Sequence, residues 1–507
     1  MDNRFVIVIG SYNNEQWVKQ NILSVLSQTH TKFKIVYYNA ASTDKTGDLV
    51  AEFAAKDPRI TLASTNERHL KTWFFENLEK FETIYDNDII CVLDGDDFMA
   101  NEDVLMYLNE VYNKTNCWMT YGGMIVWNGG ESVQEAYPQN SLPPEEVFNK
   151  KLYRRDLWRY SHMRTCRGFL WKKLNKEDLK SKHDGKYMTL DDLSTVYAFL
   201  EMCPPEKIFR VDQNIYIWNN SKANESRGCL ENKVDNIGQI YEAEIRSRKP
   251  YNELPIVVPT LAGGLGNQMF EVAAAASLAK DNNAVLVINP NEHILPNQGR
   301  NVNNYLTNIF SKIVTDTNPK TRVPYDWGRI FYKPIRFVPD MKLGGHYQSF
   351  KYFDHNREYI QDLFSPPEKH TYDYTAIQVR RGDYFKFPDH HPLLPAEYYV
   401  KAVKTGGFKK LAIFSDDIQW CKDNLKFDSD VTVEYVTGDP DWAELCKMSQ
   451  CQNLIISNSS FGWWAAYLNR RPDKQVYVPD PWFGKALIDD GFKMEDLILP
   501  EWHRIKL

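Results

Sequence analysis

Several short clusters in this 507-residue chain hold residue types that can do chemistry. Asp94-Gly95-Asp96-Asp97 follows the apolar run Ile89–Leu93, which would set carboxylates at the carboxyl edge of a sheet. Hard oxygen donors in such a place suit Mg2+ or Mn2+ that also touches a diphosphate, the plain alternative being a solvated acidic turn. Asp191-Asp192 stands before an apolar segment with helical character, where a carboxylate could deprotonate a hydroxyl or simply cap the helix. Gly263-Gly264-Leu265-Gly266-Asn267 lies between a strand and a helix, so that backbone N–H groups could face an anion without obstruction by Cβ atoms. Arg380 and Arg381 follow the strand ending at Val379, and two planar guanidinium forks there could grip a diphosphate without metal, or pair with Asp383. Asp416 could accept both N1–H and N2–H of guanine, and Ser459 and Ser460, at a helix start, could donate to phosphate.

These clusters need strands that end where they begin. The first hundred residues alternate β-rich runs (Phe5–Ile9, Lys34–Tyr38, Arg59–Ala63, Ile89–Leu93) with helical patterns, which predicts βαβ units around a mainly parallel sheet. Residues 243–254, rich in Arg and Lys and poor in apolar side chains, read as a linker between an α/β domain over 1–242 and a second over 255–507. In the second, strands are expected at Pro255–Thr260, Thr375–Val379, Leu411–Phe414, Val431–Val436, Leu454–Ser457 and Val476–Val478, with the glycine loop opening a helix from Gln268 to Lys280. No fixed-period repeat or low-complexity tract interrupts the pattern.

Composition narrows the classes further. Hydrophobic residues at 43% and charged residues at 25% fit a packed globular chain. A balance of 61 basic and 67 acidic residues, net −6, argues against a nucleic-acid partner that needs a broad basic surface. No run approaches the roughly 18 apolar residues of a membrane-spanning helix, and the start MDNRFVIVIG lacks a signal-peptide pattern. The expectation is a soluble, cytoplasmic chain without an integral membrane segment. Its eight cysteines, without metal spacing, point to a reducing compartment, in which the sequons at Asn113, Asn219, Asn224 and Asn458 carry little weight.

The order Ser11-Tyr12-Asn13-Asn14, Ser42-Thr43-Asp44, Asp94-Gly95-Asp96-Asp97 and Asp191-Asp192 resembles the family-2 inverting glycosyltransferases. That resemblance implies a GT-A fold, a nucleotide-sugar donor over the sheet edge and a Mn2+ or Mg2+ ion against its diphosphate. It makes Asp96 the leading metal ligand, with Asp94 on metal or ribose and Asp97 in support. It makes Asp192 the acceptor base, with Asp191 the fallback. Where the family carries two acidic residues that contact uracil and ribose, this chain has Asn39 and Ala40; Asn39 can still hydrogen-bond a base, and Ala40 cannot. UDP-xylose, UDP-galactose, UDP-glucose and UDP-N-acetylglucosamine are the donors expected for this half.

The blocks Gly263–Phe270, Gln378–Tyr384, Phe414–Asp417 and Ser457–Trp464, together with Gly345-His346-Tyr347-Gln348, resemble the family-11 α-1,2-fucosyltransferases. The resemblance implies a two-lobed, GT-B-like fold, GDP-fucose as donor and no essential metal. It assigns Arg380, with Arg381, to the diphosphate. It places Asn267, flanked by Gly264 and Gly266, near fucose or phosphate, assigns guanine to Asp416, and sets Ser459 and Ser460 at the phosphate. Gln378 stands where the family has His and cannot titrate, leaving His390, His391 and Asp383 as open choices for a base. Together the halves read as a bifunctional glycosyltransferase acting on an oligosaccharide, a lipid-linked sugar or a glycoprotein. An unanchored fusion looks like the enzymes of bacteria or large DNA viruses. The rival expectation is an active fucosyltransferase carrying a noncatalytic carbohydrate-binding half.

Overall fold

The structure is a computed structural model that describes residues 2–130, 141–221, 236–291, 301–321, 323–328, 332–366 and 368–507; Asn224 and Cys229 lie outside these residues. It divides into two compact units, Met1–Leu254 and Pro255–Leu507.

The first unit is built on β1 (Phe5–Ser11), β2 (Phe33–Asn39), β3 (Ile60–Ser64), β4 (Ile89–Asp94), β5 (Phe98–Met99), β6 (Met119–Trp127), β7 (Arg164–Arg167) and β8 (Ile208–Asn219). They form one eight-stranded sheet in the order β3-β2-β1-β4-β7-β6-β8-β5. Phe5, Val6, Ile7, Val8 and Ile9 are all buried, which is why β1 is apolar at every position: it is covered on both faces. Strands β3, β2, β1 and β4 run parallel, whereas β7 runs antiparallel to both β4 and β6. The four strands expected in the first hundred residues are thus parallel, and β7 makes the complete sheet mixed. Successive connections leave β1 toward β2 on one side and β4 on the other, which creates a switch point at the carboxyl ends of β1 and β4. Register pairs Ser11 with Asn39 and Gly10 with Asp94, bringing the three motif segments to one level.

The stretch 243–254 is not a free linker. Helix Asn236–Ser247 runs into it, and its charged residues face the first unit. Glu244 accepts from Ser181 Oγ at 2.6 Å and from the Lys182 amide at 2.9 Å. Arg246 donates to the carbonyls of Arg154 and Asp156 at 2.8 and 3.0 Å. Few apolar residues are needed here because ion pairs and backbone hydrogen bonds make the attachment.

The second unit contains two wholly parallel sheets. Strands β9 (Ile256–Pro259), β10 (Val285–Ile288), β11 (Val314–Thr315), β12 (Val323–Gly328) and β13 (Met341–Gly345) are ordered β11-β10-β9-β13-β12. Strands β14 (Thr375–Val379), β15 (Lys410–Ser415), β16 (Thr432–Val436), β17 (Asn453–Ile455), β18 (Val476–Asp480) and β19 (His503–Lys506) are ordered β16-β15-β14-β17-β18-β19. Each sheet has its own switch point, at β9/β13 and at β14/β17. Helices Leu265–Asp281 and Ser460–Leu468 share one core, in which Phe270 lies 4.5 Å from Trp463 and 5.1 Å from Trp464, centroid to centroid.

Candidate active sites

In the first unit the acidic loop after β4 is held from beneath. Asn21 donates to the carbonyls of Asp94 and Asp97 at 2.9 and 2.7 Å. Asp97 points inward: Tyr216 donates its hydroxyl to Oδ2 at 2.5 Å, and the Asn219 amide donates to Oδ1 at 2.8 Å. Burial, with help from the charges of Asp96 and Asp94, pushes its carboxyl well above the ordinary range. Asp97 thus supports the loop from the core. Asp96 remains partly exposed at the loop surface.

Asp94 meets two side chains that no motif announced, Lys71 and His162. Lys71 Nζ, from helix Lys71–Asn77, contacts Asp94 Oδ1 and reaches Asp191 Oδ2 at 3.1 Å. His162 Nε2 lies 3.4 Å from Asp94 Oδ2, with its ring stacked on Tyr216 at 4.7 Å. Burial opposes ionisation of Asp94, but Lys71 and His162 outweigh it and hold the carboxyl well below its usual range.

Helix Asp191–Met202 brings the other carboxylates to this cluster in its first turn, with Leu190 rather than either Asp at the cap position. Arg164, from β7, pairs with Asp192. Burial pushes both carboxyls up; Arg164 reverses this for Asp192, whereas Asp191 stays raised because Asp192 and Asp94 add to its burial against Lys71. Asp192 is the more open of the two, with 30% of its side chain exposed against 18% for Asp191. Beneath them is a cavity of about 20 Å3 lined by Arg164, Asp191, Asp192, Thr195 and Phe199.

Asn39 is largely buried and spends its carbonyl on the Ser42 amide at 3.2 Å, so it shapes the turn at the crevice. Nearby, the Arg68 guanidinium lies 3.8 Å over the Tyr12 ring. Among the described residues, no three His, Cys, Asp or Glu side chains assemble into a preformed metal site.

In the second unit, loops from both sheets meet. A Cβ on Gly266 would fall 2.6 Å from the Phe461 amide nitrogen, so glycine is what lets the starts of helices Leu265–Asp281 and Ser460–Leu468 touch. Ser460 Oγ and Gln348 Nε2 donate to Asn267 Oδ1 at 2.8 and 2.9 Å, and Trp464 Nε1 donates to the Gly266 carbonyl at 2.9 Å. Gly264 is exposed, and a Cβ there would meet nothing within 4 Å. Ser459 accepts from the Phe461 amide as the cap of its helix. Two helix N-termini and the free amide of Asn267 therefore converge, a setting that favours anions.

Arg380 follows β14 directly and is braced by Asp383 at 2.7 Å and Asp416 at 2.9 Å. Asp416 also accepts from the Arg381 amide at 2.9 Å through its other oxygen. This differs from a carboxylate left open to read a base: both oxygens already hold the arginine loop. Arg381 turns away, its guanidinium 3.9 Å over the Trp420 ring and 3.5 Å from Asp417. Gln378 is buried and accepts from the hydroxyl of Ser457. His391 stacks on Tyr384 at 4.9 Å, and burial lowers its imidazole from the ordinary value.

A pair absent from the sequence reading stands beside the glycine loop. His346, just past β13, places Nδ1 2.8 Å from Glu271 Oε1, and Glu271 Oε2 accepts from the Ala262 amide at 2.8 Å. Neighbouring registers of β9 and β13 bring these segments together, and no local signal marks the pairing.

Charged crevices at the switch points of these sheets define an α/β protein with candidate ligand sites at its strand ends. Residues 6–177 match the model described as Glycosyl transferase family 2, and residues 260–506 match Glycosyl transferase family 11. The chain is a glycosyltransferase in which an N-terminal family-2 domain is fused to a C-terminal family-11, fucosyltransferase-like domain.

Relatives include the O-antigen biosynthesis glycosyltransferase WbnK of Escherichia coli, 28% identical over 44% of this chain and 93% of that protein. An alpha-1,2-colitosyltransferase of Escherichia coli is 27% identical over 45% and 93%. Galactoside alpha-(1,2)-fucosyltransferase 1 of Homo sapiens is 27% identical over 47% and 72%. Among solved structures, S. aureus TarS 1-349 in complex with UDP-GlcNAc aligns with a TM-score of 0.34 and 14% identity over 55% of this chain and 73% of that one. The mannosyltransferase PcManGT of Pyrobaculum calidifontis, in complex with GDP-Man and Mn2+, aligns with a TM-score of 0.30 and 13% identity over 48% and 68%. Among the described residues, no helix is long and apolar enough to cross a membrane.

Proposed function

We propose that the two units add sugars consecutively to one glycan. The first, a GT-A unit, transfers a sugar from a UDP-sugar with inversion; the second, a GT-B-like unit, transfers L-fucose from GDP-fucose to a hydroxyl in an α-1,2 linkage. The carrying observation is that Ser460 ties Asn267 to the meeting point of two helix starts, while Arg380 lies 5.8 Å from the ring of Tyr384, whose hydroxyl donates to the Asn458 carbonyl just before the second of those starts. Support for the linkage comes from the names of two of the relatives, which are α-1,2-transferases of colitose and of fucose.

In the second unit Arg380 binds the diphosphate, Asp383 and Asp416 aim it, and the Asn267 amide and Ser460 helix start receive the charge that develops on the leaving group. Asp416 acts here as a brace for the arginine more than as a guanine reader. In the first unit, Asp96 with Asp94 would hold a Mg2+ or Mn2+ ion, since such ions are often held by one or two carboxylates plus phosphate. Bound there, it would supply neutralising charge to the departing diphosphate. Asp192, the more exposed carboxylate, keeps the base role because Arg164 holds it ionised before turnover, while Asp191 anchors Lys71. The acceptor is an oligosaccharide, lipid-linked sugar or glycoprotein. The seven described cysteines are buried and unpaired, which supports action in a reducing, cytoplasmic setting.

The test is calorimetry on the full chain with GDP-fucose, GDP, UDP and the UDP-sugars of xylose, galactose, glucose and N-acetylglucosamine, each with and without Mn2+. Metal-independent GDP-fucose binding that Arg380→Ala removes, beside Mn2+-dependent UDP-sugar binding that Asp96→Ala removes, is the expected result. Binding of GDP compounds alone would leave the first unit as a noncatalytic carbohydrate-binding half.

A further inference from the structure

The second unit needs a group to receive the acceptor proton, and the motif positions do not provide one. Gln378 cannot titrate and is buried against Ser457. His391 is packed on Tyr384, and His355 sits at the far end of helix Leu265–Asp281, paired with Asp281 at 2.7 Å. His346 differs in both place and partner. It emerges from β13, the strand beside β9, and β9 leads into the glycine loop. Two residues on, Gln348 donates to Asn267 at 2.9 Å, so the His346 segment is attached to the loop expected at the donor.

The partner of His346 is nearly inaccessible while the imidazole is not. Glu271 has 1% of its side chain exposed and His346 has 55%. One Glu271 oxygen takes the Ala262 amide and the other faces His346 Nδ1. With Nδ1–H donated to a carboxylate, the imidazole is fixed in the tautomer whose Nε2 bears the lone pair, and the imidazolium formed on protonation is stabilised. Nε2 has no protein partner among the described residues.

We infer that His346, oriented by Glu271, is the general base that accepts the proton of the acceptor hydroxyl in the second unit. The inference rests on the reading of that unit as a GDP-fucose-dependent transferase. The acceptor oxygen forms a bond to fucose C1 while the bond from C1 to the β-phosphate oxygen breaks. The electron pair of that bond leaves with GDP, and the hydroxyl proton passes to His346 Nε2. Glu271 remains the hydrogen-bond acceptor at Nδ1 throughout. The charge state supports this division: the hydrogen bond to Glu271 raises the His346 imidazole above its ordinary value, and burial lifts the Glu271 carboxyl to about 7. Glu271 is the ionisable group acting on the ring, and the Ala262 amide steadies it from the glycine loop.

The experiment compares wild-type chain with His346→Ala and His346→Gln, measuring GDP release from GDP-fucose across pH with a panel of β-galactosides that includes lactose. GDP-fucose affinity is measured separately by calorimetry. Expected for both variants is a fall in kcat of about 100- to 10,000-fold, the ordinary contribution of a general base, with affinity within about twofold. The acidic limb of the pH profile should disappear, and free imidazole should partly restore turnover in His346→Ala. Turnover by His346→Ala within about threefold of wild type, with the acidic limb unchanged, overturns the inference and leaves the transferase reading intact. Failure of the wild-type chain to bind GDP-fucose, or to show acceptor-stimulated release, overturns that reading and the inference with it.

Discussion

Ser460 Oγ donates to Asn267 Oδ1 at 2.8 Å, joining the starts of two helices that lie 193 residues apart in sequence. The Ser460 hydroxyl and the Gln348 amide both donate to the Asn267 carbonyl oxygen, which leaves its N–H2 group to face a ligand. Asn267→Ala should weaken GDP-fucose binding about 10- to 100-fold, and Ser460→Ala by less, because Gln348 still holds Asn267 at 2.9 Å. A double-mutant cycle by calorimetry should show coupling of about 0.5–3 kcal/mol; strict additivity would mean that the two residues act separately.

Gly266→Ala tests the contact between the same helices. The added Cβ would lie 2.6 Å from the Phe461 amide nitrogen, which is backbone and cannot swing aside. A loss of about 1–3 kcal/mol is expected from overpacking, read as a lower urea midpoint for the transition that reports the second unit. Gly264→Ala, at an open position, should leave that midpoint in place and act on donor binding if the ligand approaches there.

Lys71 stands between Asp94 and Asp191, so Lys71→Met leaves two neighbouring half-buried carboxylates without their shared cation. Lys71 lowers both carboxyls in the native chain, and its removal moves both upward. The acidic limb of UDP-sugar turnover should accordingly shift to higher pH. The loss should fall below the about 3–5 kcal/mol of a fully buried pair, because all three side chains keep some contact with solvent, and thermal unfolding of the first unit would register it. An unshifted pH profile would show that neither carboxylate governs turnover.

Glu244 provides a sign-defined pH test of the segment between the expected domains. Burial opposes its ionisation, but the Lys182 amide, Ser181 and Arg248 outweigh this and bring its carboxyl from 4.5 down to about 2. A lowered carboxyl stabilises above its unfolded value, so the contribution is complete above pH 4.5 and is lost as pH falls toward 2. Glu244→Gln should destabilise the first unit by about 1 kcal/mol at pH 7 after allowance for solvent screening. The gap from wild type in urea unfolding should narrow steadily below pH 4.5.

Much of the architecture was legible because its signals are local. The apolar runs of β1, β4 and β14 were read directly, since a strand buried on both faces must be apolar at successive positions. Asp94-Gly95-Asp96-Asp97, the glycine loop and the arginine pair were visible as clusters of unusual residue types at strand ends. The later strands β7 and β8 were not, because Arg164, Arg167, Asp212 and Gln213 break their apolar pattern. Nor was the attachment of residues 243–254 visible, since charged side chains make it.

The sequence by itself determined an α/β chain with two sets of strand-end motifs and the residue types from which each site is made. Tertiary structure alone decided which charges meet: Lys71 with Asp94 and Asp191, Arg164 with Asp192, and Glu271 with His346. The physical reason is range. Strand and turn formation depend on neighbours a few residues away, whereas the ionisation and orientation of a carboxylate depend on whichever cation the fold carries to within a few ångströms, and strand order and register set that distance.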